Sequence, residues 1–385
     1  MTSFKTRLVH FARKHSPGPR KAVNPPIVRA STVLYDDVAA MIDTRDRDAA
    51  GERVFRYGAR GTPTAFHFEE AITEVEGGAG TLLFQTGLAA VAHPMLSLLR
   101  PGDHVLFAET VYGPARALAE QYLPPRGITC EFYSGGHDEV TARIRPETRM
   151  VYLDNPGSIV FDIQDVPAIK RAIGDRDIAL VVDNTWGCPG LYRPIPLGAD
   201  ISVVAITKYV AGHSDVMLGS VTSNAKYLKQ LRADSDLLGQ TVNPEDAYLA
   251  LRGLRTAAAR IAMHQAHTAE VAHYLAGHAK VAEVLYPPRA GDRHHALFQR
   301  DFEGGNGLMS IAFAPEVSQA SVNQFVDSLQ LFGLGASWGG FESLKLIYGK
   351  VPGWSGGRIV RLHIGLEDPT DLIADLDQAL ARIDA

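Results

Sequence analysis

Cysteine is scarce in this chain. Only Cys130 and Cys188 occur in 385 residues, too few for a disulfide framework. No zinc-ligand spacing surrounds them, and reduced thiols in the cytoplasm are the simplest reading. Cys188 follows "DNTWG" and reads as a small packed residue. A basic excess is also missing: 38 lysines and arginines face 43 acids, for a net charge of −5, which excludes a dedicated nucleic-acid binder. No run of about 18 apolar residues occurs, so no transmembrane helix is expected. Acids are absent from the first 26 residues, which carry six lysines or arginines and lack the apolar core of a signal peptide. That segment reads as a solvated basic tail or as an arm that crosses to a neighbouring subunit. His294 and His295 are adjacent with no third ligand in pattern, so no metal site is expected.

What is present is a sizeable core. Hydrophobic residues make up 46% of the chain, enough for about two domains. Short apolar runs at 104–109, 128–133, 150–155, 178–184 and 201–206 read as strands. Helical patterns such as 114–123 and 165–173 separate them. This alternation predicts an α/β fold with a mainly parallel sheet covered by helices on both faces. From Pro244 to the "GH" at 277–278 runs one long helical pattern that leads into a smaller domain. The segment 286–307 reads as mostly loop, and 368–383 as a capped amphipathic helix.

In open α/β sheets, sites lie at the carboxyl ends of the strands. Three polar groups fall there: Asn155, Asp183 and Lys208. A buried carboxylate such as Asp183 needs a cation, either a neighbouring side chain or a ligand. Gly87 and Leu88 open a helix running through Leu99, and their free amides suit an anion, with Thr207 adding a hydroxyl. Lysine, phosphate cradle and strand-end aspartate together fit pyridoxal 5'-phosphate. Tyr112, at a strand-to-helix turn, is the aromatic placed to stack on its ring.

At this point "DISVVAITKYVAGHS" resembles the pyridoxal-lysine signature of the cysteine and methionine metabolism (trans-sulfuration) enzymes. "YGARGTPT", "LFQTGLAA", "VYGPAR", "DNTWG", "SWGGFESL" and "RLHIGLED" follow in that family's order. The resemblance implies an aspartate aminotransferase-like fold. The expected division is an N-terminal arm at 1–61 touching a neighbouring subunit, a large cofactor domain at 62–250 and a small α+β domain at 251–385. It implies a homotetramer of two coupled dimers with shared sites and a small amino-acid substrate, with no nucleic acid or membrane partner. By motif, Lys208 is the Schiff-base lysine and general base, Asp183 partners the pyridine nitrogen and Tyr112 stacks on the ring. Gly87, Leu88 and Thr207 hold the phosphate, and Tyr57 reaches the partner's phosphate. Tyr112 and Tyr57 are candidates to take a proton from the incoming amine. Arg361 clamps the substrate carboxylate, with Ser337, Trp338 and Asn155 lining the pocket.

Three positions depart from the pattern. Ala59 stands where the family usually has a phosphate-binding arginine, which leaves Arg60 as a substitute. Ala205 replaces a common serine, and Ala336 precedes "SWGG" where a related lyase can carry an aromatic. The implied reaction is β-elimination of cystathionine to homocysteine, pyruvate and ammonia. The alternatives are γ-acting relatives or a broader cysteine-S-conjugate β-lyase.

Overall fold

The computed structural model describes residues 3–13 and 22–383. Lys14, Arg20 and Lys21 of the basic N-terminal segment lie outside that range. Among the described residues, twelve strands form in chain order: β1 Gly80–Phe84, β2 His104–Ala108, β3 Thr129–Tyr133, β4 Thr148–Asp154, β5 Ala179–Asp183, β6 Ile201–Ala205, β7 Gly219–Ser223, β8 Glu283–Leu285, β9 Leu308–Ala312, β10 Gly333–Leu334, β11 Leu344–Tyr348 and β12 Ile359–His363.

The first seven make one sheet in the order β1-β7-β6-β5-β4-β2-β3. Its strands from β3 through β2, β4 and β5 to β6 are parallel, and β7 runs antiparallel to both β6 and β1. β2 and β5 are buried along their whole length, as a sheet covered on both faces requires. The other five strands make a second sheet, β10-β11-β12-β9-β8, in which β10 and β11 are parallel and the other neighbours antiparallel. The expected architecture of a mostly parallel large sheet and a smaller α+β unit is thus present.

Helix starts follow local chemistry. Asp165, Asn243 and Asp368 each cap a first turn through the side chain, and each is followed by proline within the first two helical positions. The Pro244–Ala276 helix packs on the Pro63–Glu76 helix of the large lobe and on β8 and β9 of the small one. A division after residue 250 would therefore cut a continuous helix. One expectation needs correction. Segment 286–307 contains a helix, His295–Asp301, because Phe298 is buried against Trp186 and Phe302. The two adjacent histidines turn to different partners, His294 to Asp162 and His295 to the Pro287 carbonyl.

The N-terminal segment behaves as two parts. The Phe4–His10 helix packs on the chain's own long helix, with Leu8 and Phe11 buried. Residues 22–57 instead cross the surface, and the Val38–Ala49 helix buries none of its residues.

Candidate active site

The parallel strands end together. Asp154 closes β4 and pairs in register with Asp183, which closes β5. The next strand, β6, ends at Ala205, and the Lys208 N–H donates to the Ala205 carbonyl at 3.1 Å. These ends mark the crevice expected of an open α/β sheet.

Asp183 is buried, and its protein hydrogen bonds both end on Oδ1, from the Thr185 N–H at 3.0 Å and the Thr185 hydroxyl at 2.5 Å. Burial raises its pKa, and Thr185 opposes that rise. Among the described residues no lysine, arginine or histidine pairs with it. A buried carboxylate with a free Oδ2 and no protein cation fits a protonated ring nitrogen. Thr185 also accepts the Ala205 N–H at 2.9 Å, which ties the end of β5 to β6.

The Gly87–Leu98 helix starts against that strand end. A Cβ on Gly87 would lie 2.7 Å from the Ala205 Cβ, so only glycine lets the helix start come so close. Thr86 caps the Ala89 N–H at 3.0 Å, and the Gly87 and Leu88 amides have no protein acceptor among the described residues. Two free helix-start donors fit a phosphate. Thr207 behaves differently from expectation: its hydroxyl donates to the Leu218 carbonyl at 3.2 Å and accepts the Leu218 N–H at 3.0 Å. In this arrangement its proton is directed at the backbone.

Lys208 Nζ donates to the Ser337 hydroxyl at 2.7 Å and lies 5.4 Å from the centre of the Trp338 ring. Burial, then the Arg361 guanidinium, pulls its pKa down to about 8. Trp338 packs on Tyr209, centroids 5.5 Å apart. From β12, Arg361 donates through Nη2 to the Ala336 and Ser337 carbonyls and stands 5.5 Å from the Tyr348 ring. Tyr112 stands half exposed at the turn after β2. Burial and the Asp183 charge raise its pKa, and Arg361 lowers it, so the phenol shares a field with both.

Three expected residues sit otherwise. Asn155 is fully buried. Its Nδ2 donates to the Gln164 carbonyl and the Tyr192 hydroxyl, and its Oδ1 accepts the Gln164 N–H, so it braces the loop after β4 rather than presenting a donor to substrate. Arg60 is ion-paired with Asp236 of its own chain, which takes up the charge expected to compensate for Ala59. Tyr57 is half exposed on the surface segment and joins Thr32 in an isolated bridge.

Two residues were missed. Thr185 stands two positions after a strand-end carboxylate, a spacing that favours a local hydroxyl bond. Asp154, in "YLDN", obeys the same strand-end rule as Asp183. Its carboxylate is buried; burial and Asp183 push its pKa well up, and the backbone N–H groups of Tyr112 and Ser158 oppose that rise. Beneath the site, Glu76 accepts from the Asn184 amide at 3.0 Å and from the Ser202 hydroxyl at 2.5 Å, with the Cys188 thiol beside it.

Comparison with known proteins agrees with this geometry. Residues 5–381 match the model of the Cys/Met metabolism PLP-dependent enzyme family. The chain is 44% identical to a cystathionine β-lyase of Bordetella avium over 370 residues, 94% of this chain and 92% of that protein. It is 39% identical to cystathionine β-lyase MetC of Escherichia coli, with 98% of each chain covered. The crystal structure of cystathionine γ-synthase from Xanthomonas oryzae pv. oryzae in complex with cystathionine superposes with a TM-score of 0.90. That pair is 32% identical and covers 99% of this chain and 98% of the other.

Proposed function

This chain belongs to the Cys/Met metabolism PLP-dependent enzymes, and from that premise we propose that it is a lyase splitting L-cystathionine by β-elimination into homocysteine, pyruvate and ammonia. Pyridoxal phosphate is the cofactor of the family; when bound, it accepts the electron pair left at the substrate Cα. Lys208 would carry it, with Asp183 keeping its ring nitrogen protonated and the Gly87 and Leu88 amides on its phosphate. Tyr112 would cover the ring. Tyr57 would serve the phosphate of the neighbouring subunit, whereas Arg60 is held by Asp236.

Lys208 removes the Cα proton. Its pKa of about 8 leaves a useful neutral fraction near neutral pH without abolishing basicity. Arg361 keeps Nε and Nη1 for the substrate carboxylate while Nη2 holds the pocket loop. Tyr112 is the candidate to take a proton from the incoming amine, which must be neutral to attack; it does so as the phenolate, the form that the nearby Arg361 charge favours.

The observation that carries β over γ chemistry is Trp338, wedged between Lys208 and Tyr209. A rigid wall there fixes the distal arm of the substrate, whereas γ-elimination needs a second proton transfer at Cβ and room to shift for it. The exposed Ala336 beside this wall favours the second reading, a γ-acting or broader S-conjugate enzyme. The purified enzyme given cystathionine should release pyruvate with homocysteine. A Trp338→Leu variant should lose most of that activity and keep its cofactor. 2-Oxobutyrate with cysteine as the main products would overturn the reading.

The exposed apolar residues of segment 22–57 support a homotetramer of two coupled dimers with shared sites. No helix among the described residues is long and apolar enough to cross a membrane. The proposal places the enzyme in the cytoplasm, where its two free cysteines stay reduced.

A further inference from the structure

Two residues beyond Arg361 on β12, and so on the same face of the strand, stands His363, which is buried. Its Nε2 accepts the Gly339 N–H at 3.0 Å, and its Nδ1–H donates to the Glu342 carbonyl at 3.0 Å. One imidazole therefore bonds both ends of the turn that follows Trp338. The pair of bonds requires the neutral ring with its proton on Nδ1. Burial, then the neighbouring His264, holds its pKa down at about 3, so the acceptor is retained throughout the working range.

The turn lies directly against the backbone of the lysine. Gly339 has φ +85°, and a Cβ there would lie 3.0 Å from the Lys208 Cα and 2.9 Å from the Tyr209 nitrogen. The Cβ side of its α-carbon thus faces the Lys208 backbone, and its amide is anchored by His363. Space for the ring is also built in: a Cβ on Gly307 would come within 3.1 Å of both His363 Nε2 and His264 Nδ1. Glu342, at the far end of the turn, accepts the Ser214 hydroxyl at 2.6 Å, so the lysine loop and the pocket loop are tied at both ends.

We propose that His363 is a positioning residue, whose two ring bonds seat the Gly339–Glu342 turn and thereby hold Ser337 and Trp338 against Lys208. Its kinetic consequence rests on the lyase reading above; its structural consequence does not. The Nε2 bond is the one that matters, because it is the one that fixes the amide beside Lys208. Three variants separate the two bonds. His363→Phe keeps ring bulk and loses both. His363→Asn keeps a donor near the Nδ1 position and loses the distant acceptor. His363→Gln brings an amide oxygen toward the Nε2 position.

Hydrogen exchange of the cofactor-loaded enzyme, read by mass spectrometry on peptides covering 336–343, is the first measurement. Exchange there should quicken about tenfold in Phe and Asn and return toward the native rate in Gln, the equivalent of one net hydrogen bond. The second is steady-state kinetics with cystathionine. KM should rise about tenfold in Asn with kcat changed less than about threefold, because the loop that lines the substrate is loosened while Lys208 stays intact. Should Phe fail to fold, the Asn–Gln pair still decides. Equal exchange in Asn, Gln and native protein, or an Asn effect on kcat alone, overturns the role. If the native enzyme yields no pyruvate while the exchange ranking holds, the lyase reading falls and the positioning role stands.

Discussion

Lys208 carries the sharpest consequence at the scale of single residues. Its amine is drawn from an ordinary 10.5 to about 8, first by burial and then by Arg361. A lysine with a lower pKa in the folded than in the unfolded state opposes folding while protonated. That cost is full below pH 8 and fades as the pH climbs from 8 to 10.5. In cofactor-free protein, acylation of Lys208 followed by peptide mapping should therefore titrate with a midpoint near pH 8. Arg361→Met should raise the midpoint yet leave it below 10.5, since burial is the larger cause; an ordinary lysine midpoint in the native protein would refute the buried amine. Lys208, Asp183 and Gly87 were legible in the sequence because a polar residue or glycine at the end of an apolar run has few structural reasons to be there. Arg60 and Asn155 were misread because their partners, Asp236 and Tyr192, are distant in sequence and only the fold brings them together.

At the scale of elements, β6 is registered by its first neighbour in the chain. Asp200 accepts Lys170 Nζ at 2.9 and 2.8 Å, the Leu180 N–H at 2.9 Å and Asn224 Nδ2 at 2.8 Å, so one carboxylate joins β5, β6, the Val166–Ile173 helix and the residue capping the next helix. Asp200→Ala strands three donors, the Leu180 N–H fully buried and the other two partly so, and should lower the unfolding free energy by about 3 kcal/mol in urea titration. A loss under about 1 kcal/mol would show that water replaces the carboxylate. Elements with a side-chain cap and proline at their start were readable to within a residue or two, since those signals are local. The seven-residue His295–Asp301 helix was not. Its stability comes from Phe298 meeting Trp186 and Phe302, a contact that no local pattern encodes.

At the scale of the molecule, the surface segment leaves Leu34 90% exposed and Val38 66% exposed, with Ile42 close by on the same helix. Among the described residues these side chains are left largely uncovered, which is the basis for the proposed contact with a second copy of the chain. The variant Leu34→Asp/Val38→Asp/Ile42→Asp removes no buried side chain, so the subunit fold should survive. Light scattering should then report a smaller particle than the native enzyme; an unchanged mass would show that the arm is not the contact. The last consequence concerns the two cysteines. Cys188 is sealed beside Glu76, and burial pushes its thiol well above the usual range; Cys130 is half-buried and pushed up to about 12. Neither offers a thiolate at neutral pH. An enzyme that discharges a free thiol at every turnover is thereby protected from its own product: once homocysteine oxidises, its disulfide finds no sulfur nucleophile on the protein to exchange with, and the catalyst is not captured as a mixed disulfide.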